Sequence, residues 1–162
     1  MNVKELTEIF RNLGARDPEE WAESEVNEGI PQLARYIFLK GAWDNVVPDN
    51  ELWIDDIMSQ YDKNNTGPYS GIGHSINKMI ECGVPKKNIT ELVRCISAEM
   101  IFHIGYLLDD PGIVNGNEYI NWAFVQLDEN DAPIKLISGL HESVLETDPT
   151  GREMRPRENF EQ

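Results

Sequence analysis

The residues best suited to chemistry lie near the C-terminal end of the chain. Residues 139–156 (GLHESVLETDPTGREMRP) combine a histidine and acidic side chains, which exchange protons, with arginines, which bind anions. The adjacent carboxylates of Asp109 and Asp110 lie at the expected C-terminal end of a long helix, where the helix dipole disfavours negative charge. If the fold gathers these groups at a cleft, they form a candidate acid–base or anion site: Asp109, Asp110, His141, Glu142, Arg152 and Arg155. The alternative is a solvated Asp-Pro turn and a tail that only completes the fold.

A second pattern could bind a metal ion. Glu99 and His103 are four residues apart in a predicted helix, so they share one face, and His74 and His141 complete the set of three histidines in the chain. The motif His-Glu-x-x-His is incomplete, because residue 145 is Leu. A hydrogen-bonded pair of Glu99 and His103 is therefore the favoured interpretation, and we expect no cofactor.

A glycine-containing loop lies at residues 67–75 (GPYSGIGHS). A backbone of this kind ahead of a helix can hold an anion, but the loop lacks the Gly-Lys-Ser/Thr ending of a phosphate loop. It also resembles a nucleophile elbow, but no strand precedes it. We therefore expect Ser70 to cap a helix, with Gly71 and Gly73 allowing close packing.

The strongest global signal is charge. The chain has 162 residues, with 29 carboxylates against 14 Lys and Arg, for a net charge of −15. This field disfavours nucleic acid and anionic membranes and accelerates encounter with a basic protein. The candidate partner-binding carboxylates lie in the first two predicted helices and in a late turn: Glu19, Glu20, Glu23, Asp128, Glu129 and Asp131. In this small, acidic composition the chain is similar to bacterial immunity and inhibitor proteins, although no motif is shared.

Two functions follow from these patterns. The leading one is a non-enzymatic acidic protein that binds a basic protein partner as a monomer or homodimer, although the charge could also serve solubility alone. The alternative is a small enzyme, or a ligand- or metal-binding protein, with its site around Glu99, His103, His141 and Glu142. A homodimer formed through a hairpin edge is a third possibility.

Helical periodicity dominates the elements that must position these residues. Apolar spacing, caps and breakers predict six helical segments within residues 1–110, the last over about residues 88–108. Asn88 and Glu91 resemble a capping box. The stretch at 100–108 (MIFHIGYLL) is apolar nearly all round, which predicts a central helix buried by its neighbours.

The pattern changes after residue 110. Aromatic and β-branched residues around a polar turn predict a β-hairpin over about residues 119–140, followed by a turn-rich tail at 141–162 that packs on the domain or trails from it. The expected fold class is mainly α (α+β): a compact helical bundle in a single domain, 1–162. Cys95 is expected to be a small buried residue. Without a C-x-x-C pair, an apolar leader or a membrane span, the chain is expected to be cytoplasmic.

Overall fold

The computed structural model describes residues 1–113 and 121–157. Within these ranges the predicted fold class is confirmed: the protein is mainly α, with six α-helices and a two-stranded antiparallel hairpin. The helices are α1 (Val3–Leu13), α2 (Pro18–Glu28), α3 (Gln32–Trp43), α4 (Leu52–Ser59), α5 (Ser70–Glu81) and α6 (Lys86–Asp109), and the strands are β1 (Val125–Leu127) and β2 (Pro133–Leu136).

The chain divides into two compact units. One comprises Met1–Asn45 together with Ala98–Gln162, and the other comprises Val46–Ser97, so that α6 contributes residues to both. The expectation of a single domain stays a prediction.

The first unit is built on the packing of α1, α2 and α3. A capping box starts α1, because the Asn2 side chain accepts a hydrogen bond from the Glu5 amide and the Glu5 carboxylate accepts one from the Asn2 amide, both at 3.0 Å. Three aromatic residues, Phe10, Trp21 and Tyr36, meet in the core, with ring centroids 5.3–5.9 Å apart. These contacts fix α3 against the first two helices.

The second unit has a smaller core. Trp53, Ile54, Ile76 and Ile89 are buried together, and the Trp53 indole donates a hydrogen bond of 3.0 Å to the Thr90 hydroxyl. Since a buried indole N–H requires an acceptor, this bond positions α4 on the first part of α6.

The cap predicted for α5 was wrong by one residue. Tyr69 occupies the N-cap position with φ of 63°, its side chain makes no capping bond, and Ser70 is the first helical residue. The close packing expected at Gly73 is present, because an added Cβ would lie 3.2 Å from the Tyr61 ring, whereas the same expectation for Gly71 was wrong, because nothing lies within 4 Å of a Cβ added there.

Helix α6 departs from two expectations. It begins at Lys86, so the predicted capping residue, Asn88, lies inside the helix. The predicted burial of residues 100–108 was also wrong: Met100 is 55% exposed, and Ile104 and Leu107 are 45% and 40% exposed. Apolar composition all round predicts burial on every side, whereas the described residues cover only part of this helix.

Among the helices that the structure describes, none combines the length and the hydropathy that a membrane span requires.

The prediction for Cys95 was wrong as well, because this residue is exposed. It lies in α6 next to Ile96, which is 54% exposed. An apolar neighbourhood in the sequence is therefore not evidence of burial on this helix.

The hairpin is shorter than the sequence predicted. Val125 pairs with Leu136, and a bulge follows Gln126 in the ladder. The aromatic residues just before β1 contact helices instead: Phe124 packs on Phe38 at 4.9 Å, and the Trp122 indole donates to the Leu107 carbonyl at 2.8 Å. Residues 119 and 120 of the predicted strand lie outside the described residues.

Candidate functional site

A buried arginine of α3 organises the most distinctive polar region of the first unit. Arg35 lies on the same face of α3 as Leu39 and Trp43, at positions i, i+4 and i+8, and all three residues are buried. Its Nη2 donates hydrogen bonds to the Gly139 carbonyl and, at 2.8 Å, to the Ser143 hydroxyl. These hydrogen bonds from a charged side chain therefore attach the segment after the hairpin to α3.

Trp43 lies about two helical turns further along α3 and holds the same segment. Its indole N–H lies 3.0 Å from the Val144 carbonyl and 3.2 Å from the Thr147 hydroxyl. The left-handed backbone of Gly139, with φ of 72°, leads into this segment, and an added Cβ would lie 2.9 Å from Arg35 Nη2. Glycine is therefore required at this close approach.

Acidic side chains surround a cleft next to Arg35. Its volume is about 470 Å³, and it lies between α2, the start of α3 and the short 3-10 turn His141–Ser143. Among the described residues, five glutamates line it against one arginine, which gives the lining a formal charge of −4. These residues are Glu20, Glu23, Glu28, Glu142, Glu146 and Arg35.

Two pKa shifts show how these charges act on one another. Burial raises the pKa of the Glu146 carboxyl, and the nearby carboxylates of Glu20 and Asp17 raise it further, while Arg16 and Arg35 oppose the shift. Burial lowers the pKa of Arg35, and the attraction of Glu142 is the largest opposing effect. The cleft thus holds more negative charge than its own cations neutralise.

Gln32, which also lines the cleft, has one polar side-chain atom without a hydrogen bond among the described residues. Gln32 Nε2 donates to the Ser24 hydroxyl at 2.9 Å. Its Oε1 is buried and accepts no hydrogen bond from the described residues.

Asp109 and His141, two of the predicted site residues, are in contact. His141 Nδ1 lies 2.6 Å from Asp109 Oδ2, and the His141 amide donates to the same oxygen at 3.3 Å. The Tyr106 ring packs edge-on against the imidazole at 4.7 Å. Since Asp109 ends α6, a donor beside it offsets the unfavourable helix dipole, and the pair fastens the late segment to this helix.

The remaining members of the predicted late site have the following contacts. Asp110 accepts from the Gly112 amide at 2.9 Å, as expected for the turn interpretation. Glu142 Oε2 lies 3.7 Å from Arg35 Nη2. Arg155 pairs with Glu153 at 2.8 Å, and Arg152 Nη1 donates to the Arg155 carbonyl at 2.6 Å. Of the predicted site residues, His141 is bonded to Asp109 by both its ring and its backbone amide.

The predicted partner-binding carboxylates separate into three groups. Glu20 and Glu23 line the cleft. Glu19 faces α1 instead and pairs with Arg11 at 2.5 Å. The others belong to the hairpin turn, where hydrogen bonds from the Ala132 and Asn130 amides lower the pKa of Asp128, Asp131 has φ of 61°, and Glu129 is exposed.

The histidines and acids proposed for a metal have other surroundings. His103 Nε2 and Glu99 Oε1 are 3.9 Å apart, which is too far for a hydrogen bond, and both side chains are exposed, so the prediction of a hydrogen-bonded pair was wrong. His74 lies 3.2 Å from the Tyr61 hydroxyl and 2.9 Å from the Asn65 carbonyl. Within residues 1–113 and 121–157, no three His, Cys, Asp or Glu side chains are grouped closely enough to hold a metal ion.

Several cleft residues were missed by the sequence reasoning: Arg35, Glu28 and Glu146. A signal existed for Arg35, because it is a charged residue on the apolar face of a predicted helix, and a charge in that position must find partners. Glu146 gave no comparable signal, since its place in the cleft depends on contacts more than 100 residues away in sequence, such as that of Arg35 with Ser143.

Comparison with known proteins gave no assignment: no family model, curated protein or solved structure matches this chain significantly. The geometry of the cleft is therefore the basis for assigning a function.

Proposed function

We propose that this protein is a non-enzymatic binding protein that engages a basic protein partner, in the manner of an immunity protein or inhibitor. The acidic cleft receives a lysine or arginine side chain of that partner. The observation that carries the proposal is the convergence of five glutamates on one concave surface whose described lining contains a single cation, Arg35.

The charges of the cleft favour a cationic guest in preference to an anionic or neutral one. Arg35 is already bonded to Gly139 and Ser143, which limits its capacity to attract an anion. Burial raises the pKa of Glu146 and repulsion from nearby carboxylates raises it further, and a guest cation would relieve that repulsion.

The net charge of −15 supports the same proposal over longer distances. It would steer a basic protein toward the cleft at low ionic strength and oppose the approach of nucleic acid. We further propose that the encounter takes place in the cytoplasm. Cys82 is exposed, and an exposed thiol survives best in a reducing compartment.

Calorimetric titration with a blocked tetra-arginine peptide tests the cleft. The variant Glu20→Gln/Glu23→Gln removes two lining carboxylates, and Glu51→Gln/Glu99→Gln is a matched control, since both variants lose two charges and neither control residue lines the cleft. We expect the first to weaken binding by about tenfold, which corresponds to roughly 0.7 kcal/mol for each charge, and the second to change it less than twofold. Equal losses would show that the peptide senses only net charge and would refute the proposal.

A second candidate function rests on the contact of His141 with Asp109. A carboxylate that holds one imidazole nitrogen leaves the other available for proton transfer, as acid–base enzymes require. The variant His141→Asn, whose side-chain amide can still donate to Asp109 but cannot transfer a proton as imidazole does, separates the two functions. A binding protein that uses the cleft should retain its affinity for the peptide, whereas an enzyme that uses this histidine should lose its turnover.

A further inference from the structure

A second surface of the first unit is apolar, in contrast to the acidic cleft. It is a groove of about 440 Å³ between α3 and the C-terminal half of α6, and its lining is almost entirely apolar. The main contributors are Ile37 and Gly41 of α3 and Ile101 and Ile104 of α6. Next to Ile104 on the helix, Met100 and Leu107 extend the apolar surface at i−4 and i+3.

Four apolar side chains of this surface are about half exposed. Ile37 and Met100 are 51% and 55% exposed, and Ile104 and Leu107 are 45% and 40% exposed. Together these four side chains present on the order of 350 Å² of apolar surface, which is within the range of the largest patches found on monomeric proteins. A small specific interface of about 600 Å² per partner, roughly 60% of it apolar, requires about the same apolar area.

The distribution of charge indicates what covers the patch. Residues 100–108 (MIFHIGYLL) contain no Asp, Glu, Lys or Arg, although the chain as a whole carries −15. A basic protein would find no carboxylate to pair with on this stretch of α6. Two copies of an acidic chain, in contrast, can approach one another with least repulsion where neither carries a charge.

The shape of the patch favours a second copy for a related reason. A two-fold interface must be self-complementary, so it needs a ridge and a groove on the same surface. Ile104 and its neighbours on α6 provide the ridge. The groove runs beside Gly41, where no atom lies within 4 Å of an added Cβ, so there is space for a side chain from outside.

We infer that the protein forms a weak, reversible homodimer through this α3/α6 patch, in which Ile104 of each copy enters the groove beside Ile37 of the other. From the small area we expect a dissociation constant of about 10–100 µM. Salt should strengthen the dimer, because it screens repulsion between two acidic chains. Binding of a basic partner in the cleft should weaken with salt, so failure of one proposal is distinguishable from failure of the other.

Sedimentation equilibrium of the full chain from 1 to 300 µM, in 50 and 500 mM NaCl, tests the dimer. The variant Ile104→Glu should weaken the association at least tenfold. The matched control is Ile134→Glu, which places the same charge at a residue that is 57% exposed on the hairpin, and it should change the association less than twofold.

Charge pairing between two variants gives a test that loss of folding cannot imitate. Ile104→Glu and Ile37→Lys should each be monomeric alone, yet an equimolar mixture should form a heterodimer, because the glutamate of one copy meets the lysine of the other. Three results would overturn the inference: a monomer at every concentration in 500 mM NaCl, dissociation by Ile134→Glu but not by Ile104→Glu, or a mixture that stays monomeric.

Discussion

Replacement of Arg35 by methionine should destabilise the first unit by removing the donor that joins α3 to the late segment. The guanidinium side chain is 6% exposed, and its Nη2 donates to the Gly139 carbonyl and the Ser143 hydroxyl. Each hydrogen bond from a charged donor is worth about 1.5–3 kcal/mol. Methionine fills much of the space but leaves the Ser143 hydroxyl without this donor, while the Gly139 carbonyl keeps only the hydrogen bond of 3.2 Å from the Glu142 amide.

Two effects reduce the expected loss. Methionine avoids the cost of burying a charge, which is several kcal/mol. The ion pair with Glu142 contributes little, because it spans 3.7 Å and the Glu142 side chain is 68% exposed. We therefore expect Arg35→Met to lower the free energy of unfolding by about 3 kcal/mol, which is the loss of the charge-assisted hydrogen bonds reduced by the avoided cost of burying the charge.

Urea denaturation monitored by tryptophan fluorescence provides the measurement. With a slope of about 2 kcal/mol per molar urea, the midpoint for Arg35→Met should fall by about 1.5 M. Glu142→Gln is the control, and its midpoint should fall by less than about 0.5 M, which corresponds to the energy of an exposed ion pair. A loss below about 1 kcal/mol for Arg35→Met, or equal losses for both variants, would refute the role given to Arg35.

Three further perturbations test neighbouring contacts. Gly105→Ala should destabilise the protein by about 1–2 kcal/mol in the same assay, despite better helix propensity, because its Cβ would lie 3.0 Å from the His141 amide nitrogen; a more stable variant would contradict the close packing. A double-mutant cycle of Asp109→Ala and His141→Ala at pH 7 should give a coupling of about 1 kcal/mol, and zero coupling would show that the contact contributes nothing. The raised pKa of Glu146 means that ionisation of this carboxyl in the folded protein costs stability. Glu146→Gln should therefore be more stable than the parent above that pKa and equally stable below the unfolded pKa near 4.5. Urea midpoints measured against pH test this, and a variant that is less stable than the parent at high pH would contradict it.

The helical part of the fold was predictable because its signals are local. Apolar residues at helical spacing and the stop at Gly14 defined α1, and Pro18 marked the start of α2. The predicted hairpin was too long because the aromatic residues before β1 are equally suited to a strand and to contact with a helix. Phe124 packs on Phe38, and that long-range contact has no local signature.

The candidate site was predictable only in part for the same reason. The excess of carboxylates in the first two helices pointed to Glu20 and Glu23, which line the cleft. Glu142 and Glu146 join them through the anchoring of the late segment on Arg35, more than 100 residues earlier in the chain. The spacing of residues in the sequence identifies neighbours within one helix or strand, whereas this cleft is formed by α2, α3 and the segment that begins with the 3-10 turn.

The contact of Asp109 with His141 shows what a conflict in the sequence can reveal. Two carboxylates at the end of α6 oppose the helix dipole, and this conflict suggested that a compensating group lies nearby. The compensation comes from a histidine and a backbone amide, whereas the sequence left open a solvated Asp-Pro turn and a site shared with Arg152 and Arg155. A local conflict thus indicates that a partner exists without identifying it.

The most direct test of the central claim is a nuclear magnetic resonance titration of the isotopically labelled protein with blocked tetra-arginine peptide at low salt. Backbone amide shifts would locate the bound peptide without mutation. The proposal requires the largest changes around Glu20, Glu23 and Glu28 of α2 and in the segment from Glu142 to Glu146, with loss of those changes at high salt. Changes concentrated at the hairpin turn, or spread evenly over the acidic surface, would contradict the cleft as the binding site.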